Sequence, residues 1–217
     1  MPASSRYAFR QRYRKSISRH YSPWLHAGFV YTGVAITLAV LWHSGEGYQW
    51  KHGFAALAGL LLFNIGEYIA HRWLGHHKRA WAQLFYQRHT VDHHGFFHHD
   101  DYTIDTVRDW RVVLFPAFLL PAVIVVFALP LGWLVGQVWQ PAAGVVFSMG
   151  IVFGYGLYEV VHLIDHLPDH NRLTQLPGFR FMREHHRKHH HPKWSRHYNF
   201  NVSFPFADFL FGSYLKP

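Results

Sequence analysis

The 217-residue sequence contains no cysteine. That excludes disulfides, iron–sulfur clusters, thiolate-ligated haem and cysteine-type zinc sites, so any bound metal must rely on nitrogen and oxygen donors. Acids are also scarce. There are 12 Asp and Glu residues against 21 Lys and Arg, a formal net charge of +9. The first 22 residues hold Arg6, Arg10, Arg12, Arg14, Lys15 and Arg19 and no acid. No linker-like stretch interrupts a chain about one domain long, which predicts a single domain over 1–217. Histidine is abundant instead: 21 copies, in a sequence that is 50% hydrophobic. Those histidines depress the mean hydropathy to near zero, so the segments must be read one at a time.

Four apolar runs predict helices over about 24–42, 54–73, 112–129 and 142–162. Each is about 20 residues, enough at 1.5 Å per residue to cross roughly 30 Å of hydrocarbon. The expected fold is all-α: an integral membrane protein with four transmembrane helices and a histidine-rich helical cap. Trp24, Trp42, Trp50, Trp73, Trp110, Trp133 and Trp139 fall at the predicted span ends, as an interfacial aromatic belt requires. Pro116 and Pro121 mark the third span as a kinked helix. Four spans put both termini on one side, and of the Lys and Arg residues only Lys51 then lies in a loop on the other. By the positive-inside rule the basic segment 1–23, both termini and the cap face the cytosol. The basic charge is then an orientation signal and a headgroup contact, not a nucleic-acid footprint. A transit peptide would share the Arg- and Ser-rich start, but here the cations run directly into an apolar span.

The histidines gather in four groups, all on the predicted cytosolic side, within 71–94 and 162–190. His162 and His166 are four apart and stack on one helical face. His186, His189 and His190 again share a face. His89, His93 and His94 form an i, i+4, i+5 set. His71 and His76 are five apart, about 140° around a helical wheel, and can meet at one centre only if the helix loosens, which Gly75 allows. Any one group could be a helix cap or a solvated basic tract. Four groups on one side, two of them at span ends, point to a metal site. Glu67, Asp92, Glu159 and Asp165 precede these histidines by one to four residues and are candidates to orient imidazoles through the second ring nitrogen. Tyr158, one turn before His162, fits channel lining or simple packing. A metal transporter would need polar mid-span residues, and Asn64 is the main one here. A b-type cytochrome needs facing single histidines, not sets.

In this ordered set the sequence resembles the fatty acid hydroxylase superfamily, which includes sterol desaturases. The family's boxes read H-x(3,4)-H, H-x(2,3)-HH, H-x(3)-H and H-x(2)-HH. Here they correspond to His71 and His76; His89, His93 and His94; His162 and His166; and His186, His189 and His190. Asn199-Phe200-Asn201 and Asp208-Phe209-Leu210-Phe211-Gly212 resemble the family's ending. The resemblance implies that these ten histidines ligate two iron ions, with zinc able to replace iron in purified protein. It implies hydroxylation of an unactivated C–H bond in a lipid or fatty-acyl substrate, with O2 as cosubstrate. Desaturation, or hydroxylation of a sterol, carotenoid or sphingolipid, is possible on the same scaffold. Electrons would come from a separate donor, a cytochrome b5-like or ferredoxin-like protein with its reductase. The expected location is a bacterial inner membrane or an ER membrane. Adjacent histidines leave the ligand set open by one residue: His76 or His77, His185 or His186, His190 or His191, with His93 and His94 unranked. His98, His99 and His197 flank the boxes further.

Overall fold

The computed structural model describes residues 3–216, and their regular structure is helical. In chain order the α-helices are α1 (Ala3–Ser16), α2 (Pro23–Ser44), α3 (Gly53–Ile69), α4 (Gln83–Tyr86), α5 (His94–Phe96) and α6 (Trp110–Val113). They continue with α7 (Leu119–Val123), α8 (Leu129–Val138), α9 (Pro141–Asp165), α10 (Pro177–His189) and α11 (Phe206–Leu210). Four helical stretches are long and apolar enough to cross a membrane: Pro23–Ser44, Trp50–Gly75, Leu119–Val138 and Pro141–Asp165. Contacts gather the chain into two compact units. One comprises the chain up to Pro23, Glu67–Phe115 and Val160–Pro217; the other comprises Trp24–Gly66 and Pro116–Glu159.

The second unit holds most of the apolar helices. The apolar window of α9 is 67% buried, against 22%, 28% and 17% for the other three, so α9 is the central post. Small residues let backbones approach closely: a Cβ on Gly59 would fall on the Phe147 carbonyl, and one on Gly150 on the Ala56 carbonyl. The third span starts at Leu119, not near 112, and runs on to Val138. Its start is displaced because the chain leaves α6 in extended form at Leu114 (φ −67°, ψ 135°), and Pro116, which disfavours helix at Phe115 before it, keeps the chain from resuming at once. Pro116 therefore lies outside the helix, and Pro121 sits in the first turns of α7, where its missing N–H costs little. A third proline, Pro130, opens α8 directly after a π-helical turn, Ile124–Ala128. That widening relieves the clash a proline ring makes with the preceding turn. Ser148 of α9 donates a 2.7 Å hydrogen bond to the Ala128 carbonyl at the same place.

The first unit is built around Phe96, Phe97, Ile104, Val112 and Val113, with Phe9, Tyr13, Trp110, Leu163 and Leu167 against them. Trp110 is partly buried and packs against this core. The N-terminal cations also depart from the sequence reading. Arg6, Arg10 and Arg14 repeat every four residues and so share one face of α1. They pair with Asp100, with Asp101 at 2.5 Å, and with Asp105 and Asp109 at 2.5 and 2.8 Å. These arginines clamp the 100–109 loop, so they are not available as headgroup contacts. Arg10 also donates to the Thr103 carbonyl and lies 4.5 Å over the Phe96 ring. Burial alone would raise the Asp109 carboxyl, but Arg14 and the amides of Asp105 and Thr106 outweigh it and hold it below the ordinary range.

Candidate metal centre

Two π-helical turns and two ordinary helix ends carry the histidines. Ala70–Gly75 extends α3 as a π-helix, whose wider turn brings residues five apart onto one side. His71 and His76 consequently stack, with ring centroids 5.2 Å apart. Gln87–His93 is a second π-helix, and it places His89 and His94 together. The loosening expected at Gly75 is this π-turn, yet the glycine's own role is to leave room. A Cβ there would stand 2.9 Å from the His89 ring. His186 and His190 follow α-helical spacing on α10, as do His162 and His166 at the end of α9.

The imidazoles converge on two centres within the first unit. His71, His76, His89, His94 and His189 form one group of five, and His93, His166, His186 and His190 a group of four. Within each, the potential ligand atoms lie within 4.8 Å of one another. In the first, Nε2 of His189 is 3.0 Å from Nε2 of His71 and of His76, and 3.1 Å from that of His94. In the second, Nε2 of His190 is 3.1 Å from that of His93 and 3.2 Å from that of His186. His162 stands beside the second group, its Nε2 3.3 Å from that of His93. The ten box histidines therefore gather as five and four, with His162 adjacent to the four.

Backbone carbonyls fix the rings. His71 Nδ1 donates to the Phe200 carbonyl, and His189 Nδ1 to that of Tyr198 at 2.9 Å. His93, His190 and His166 donate to Val112, Phe97 and Tyr102 at 3.0, 3.1 and 2.8 Å. A carbonyl can only accept, so Nδ1 carries the proton and each Nε2 presents a lone pair inward. His71 faces His189, and His93 faces His190, with acceptors on both sides and no hydrogen to share. Protonation does not resolve the conflict. Burial lowers His93 to about 3 and His189 to about 4, and drives His76, His89, His94, His166, His186 and His190 well below the usual imidazole range. Neutral, converging, proton-free Nε2 atoms are a donor set for cations, and the residues fit a pair of transition-metal ions.

The carboxylates do not do what their spacing suggested. Glu67 accepts the amides of Val202 and Ser203 and the Ser203 hydroxyl, so it braces the tail segment whose Phe200 carbonyl holds His71. Asp92 bonds Gln87 at 2.9 Å and Arg88 at 3.5 Å, while His93 turns to a backbone carbonyl. Glu159 accepts the Tyr155 hydroxyl at 2.8 Å. Asp165 is fully buried, with no hydrogen bond to either oxygen. Tyr158 is buried. The carboxylate that matters most is Asp208, which spacing did not single out. It accepts from the Phe200 amide at 2.9 Å, the Asn201 amide at 2.8 Å, Ser213 Oγ at 2.7 Å and His185 Nε2 at 3.1 Å. Asn199, in the left-handed region at φ 58°, turns the chain there and ties it to the His185 carbonyl. Thr90 donates to the Gly75 carbonyl at 2.6 Å and lies 3.4 Å from His76 Nδ1, steering that ring.

The remaining histidines stay outside both groups. His185 is taken by Asp208, His77 bonds the Arg72 carbonyl at 2.8 Å, and His191 packs on Trp194 and His99. Of each adjacent pair, His76, His186 and His190 are the members that lie in the two groups.

The sequence profile of fatty acid hydroxylases matches residues 56–213, which include every histidine of the two groups. The chain belongs to the fatty acid hydroxylase family. It is also similar to a solved structure described as full-length Scs7p with only its hydroxylase domain visible. That similarity has a TM-score of 0.56 at 23% identity, over 90% of this chain and 67% of the other, and speaks to the fold alone. A search of curated proteins returns no significant match. The fatty acid hydroxylase family is an oxidoreductase family, and this member carries four candidate membrane helices and two histidine groups that fit a metal site.

Proposed function

We propose that the chain is a di-iron oxygenase that hydroxylates an unactivated C–H bond of a lipid or fatty-acyl substrate. The overall reaction takes R–H, O2, two electrons and two protons to R–OH and water, with the electrons delivered by a separate donor protein. The observation that carries this reading is the pair of facing, proton-free Nε2 atoms in each histidine group, at 3.0 and 3.1 Å. His71, His76, His89, His94 and His189 would hold one ion, and His93, His166, His186 and His190 the other, with His162 in reserve beside it. When bound, the irons supply dioxygen activation and the oxidising power to break a strong C–H bond.

The chain's own residues provide placement and shelter. A small cavity is lined by Arg88, His89, His93 and His162 together with the apolar run Val112, Val113, Leu114 and Phe115. It has room for little more than a water-sized molecule. Its apolar wall suits a methylene group and disfavours stray water. His162 is oriented there by a backbone hydrogen bond at Val113. With the termini and the centre on the cytosolic side, the acyl chain would arrive from the bilayer and the electrons from the cytosol.

The test combines metal and product. Purified wild-type protein reconstituted with iron should contain about two ions per chain. Cells expressing it should accumulate a lipid bearing one added oxygen. His189→Ala should abolish that product while still inserting in the membrane. A metal-free wild-type protein, or undiminished product from the variant, would remove the reading. A product lacking two hydrogens would reassign the chain to desaturation.

A further inference from the structure

Beside the cavity, Arg88 and Arg111 meet with little to neutralise them, and Arg108 lies on the far side of Tyr21. Arg88 lies on the π-turn one residue before His89 and lines the cavity itself. Arg111 sits on α6, directly before the apolar wall that starts at Val112. Arg108 reaches the Ser18 and Tyr21 carbonyls at 3.2 and 3.4 Å. Arg88 is committed to the Tyr13 hydroxyl at 3.0 Å, to the carbonyls of Arg111 and Leu114, and to Asp92 at 3.5 Å. Arg111 differs. Its guanidinium lies 5.9 Å from the Tyr21 ring, its Nη1 is buried without a hydrogen-bond partner, and among the described residues it forms no ion pair. Asp92 is the acid that faces this group, and it already accepts from Gln87 and Arg88.

Two guanidiniums, those of Arg88 and Arg111, against one shared carboxylate leave about one positive charge unbalanced in a partly buried place. Like charges held this way cost energy that an incoming anion would relieve. Burial first, and then Arg88, lowers the Arg111 pKa, which is the electrostatic sign of the same vacancy in charge. A planar guanidinium with free donors is suited to a carboxylate or a phosphate.

We infer that Arg111, backed by Arg88, is an anchoring site for the anionic headgroup of the substrate amphiphile. The ligand class is an acyl or alkyl chain ending in a carboxylate or phosphate. Because Val112 follows Arg111 and Arg88 precedes His89, a headgroup held here delivers the first carbons of its chain to the cavity. The site therefore selects where along the chain oxidation falls: close to the charged end. This rests on the cavity being the reaction site, as proposed above.

The test is equilibrium binding to the full chain, loaded with metal and held in nanodiscs of zwitterionic lipid. Radiolabelled palmitate is the probe, and hexadecyl phosphate, hexadecanol and inorganic phosphate are the competitors. Palmitate and hexadecyl phosphate should bind about 10- to 100-fold more tightly than hexadecanol, with inorganic phosphate far weaker than either. Arg111→Gln should erase the preference for charge, and Arg111→Lys should keep part of it. Equal binding of hexadecanol by the wild type would overturn the proposal without any variant. So would competition by inorganic phosphate as strong as by hexadecyl phosphate, which would mark a general anion site. Metal content is measured on the same samples, so selective binding by a metal-free protein would separate this site from the oxygenase reading.

Discussion

The two histidine groups solve one problem by different means. The group of five depends on irregular helix, since its His71/His76 and His89/His94 pairs both need π-turns. Its carbonyl supports come from Tyr198 and Phe200, near the end of the chain. The group of four uses ordinary α-spacing for His186 and His190 and takes its carbonyls from Phe97, Tyr102 and Val112, in the segment that α1 clamps with three arginines. His94 of the first group is only half-buried, whereas all four of the second are fully enclosed. Donor type alone therefore does not make the centres equivalent. One is held by a tail and the other by a core.

Removing Asp208 should break this contrast most severely. Asp208→Ala strands the Phe200 and Asn201 amides and frees the segment that positions His71 and His189. Each stranded buried donor costs about 1–3 kcal/mol. The melting temperature should fall by several degrees, and elemental analysis should show about one ion retained instead of two. Equal loss from both centres would show that the tail supports the whole site.

Acid titration sharpens the comparison next. Histidines depressed in the folded state bind fewer protons there than when unfolded. Their stability is complete above the unfolded value near 6.5 and is lost as pH falls through the folded values, about 4 for His189 and about 3 for His93. Chelator-treated protein should melt at progressively lower temperature from about pH 6.5 downward, by about 1.4 kcal/mol per pH unit for each such histidine. Metal-loaded protein should resist until protons compete for Nε2. A flat profile from pH 7 to 5 in the chelated protein would contradict the buried, neutral assignment.

The mildest probe is Gly75→Ala. Its new Cβ would push on the His89 ring, so the first centre alone should bind metal more weakly, by about tenfold. Competition with a chromophoric chelator would read it, and an unchanged pair of affinities would mean that His89 shifts freely.

Much of this was legible in the sequence, and the exceptions share a cause. Apolar runs and histidine spacing located the four spans and all nine clustered histidines, because both signals are carried by side-chain type at fixed intervals. Which partner each ring's Nδ1 would choose was not legible. Every backbone carbonyl looks alike in a sequence, so acids at Glu67 and Asp92 drew attention that belonged to Phe200 and Val112. The start of the third span was misplaced although Pro116 announced it, since hydropathy continues unbroken through Val112–Phe115. The charges of α1 read as membrane signals in the sequence because nothing local to them marks the four aspartates of the 100–109 loop as the partners of Arg6, Arg10 and Arg14.

Two pairs of consecutive histidines are divided between the centres: His93 and His94 go to opposite groups, as do His189 and His190. Neighbouring α-carbons stand about 3.8 Å apart, so the peptide bond ties the two histidine groups, and any ions they would hold, to each other at two independent points. A deletion of one residue in either doublet would trade donors between the ions instead of merely loosening one.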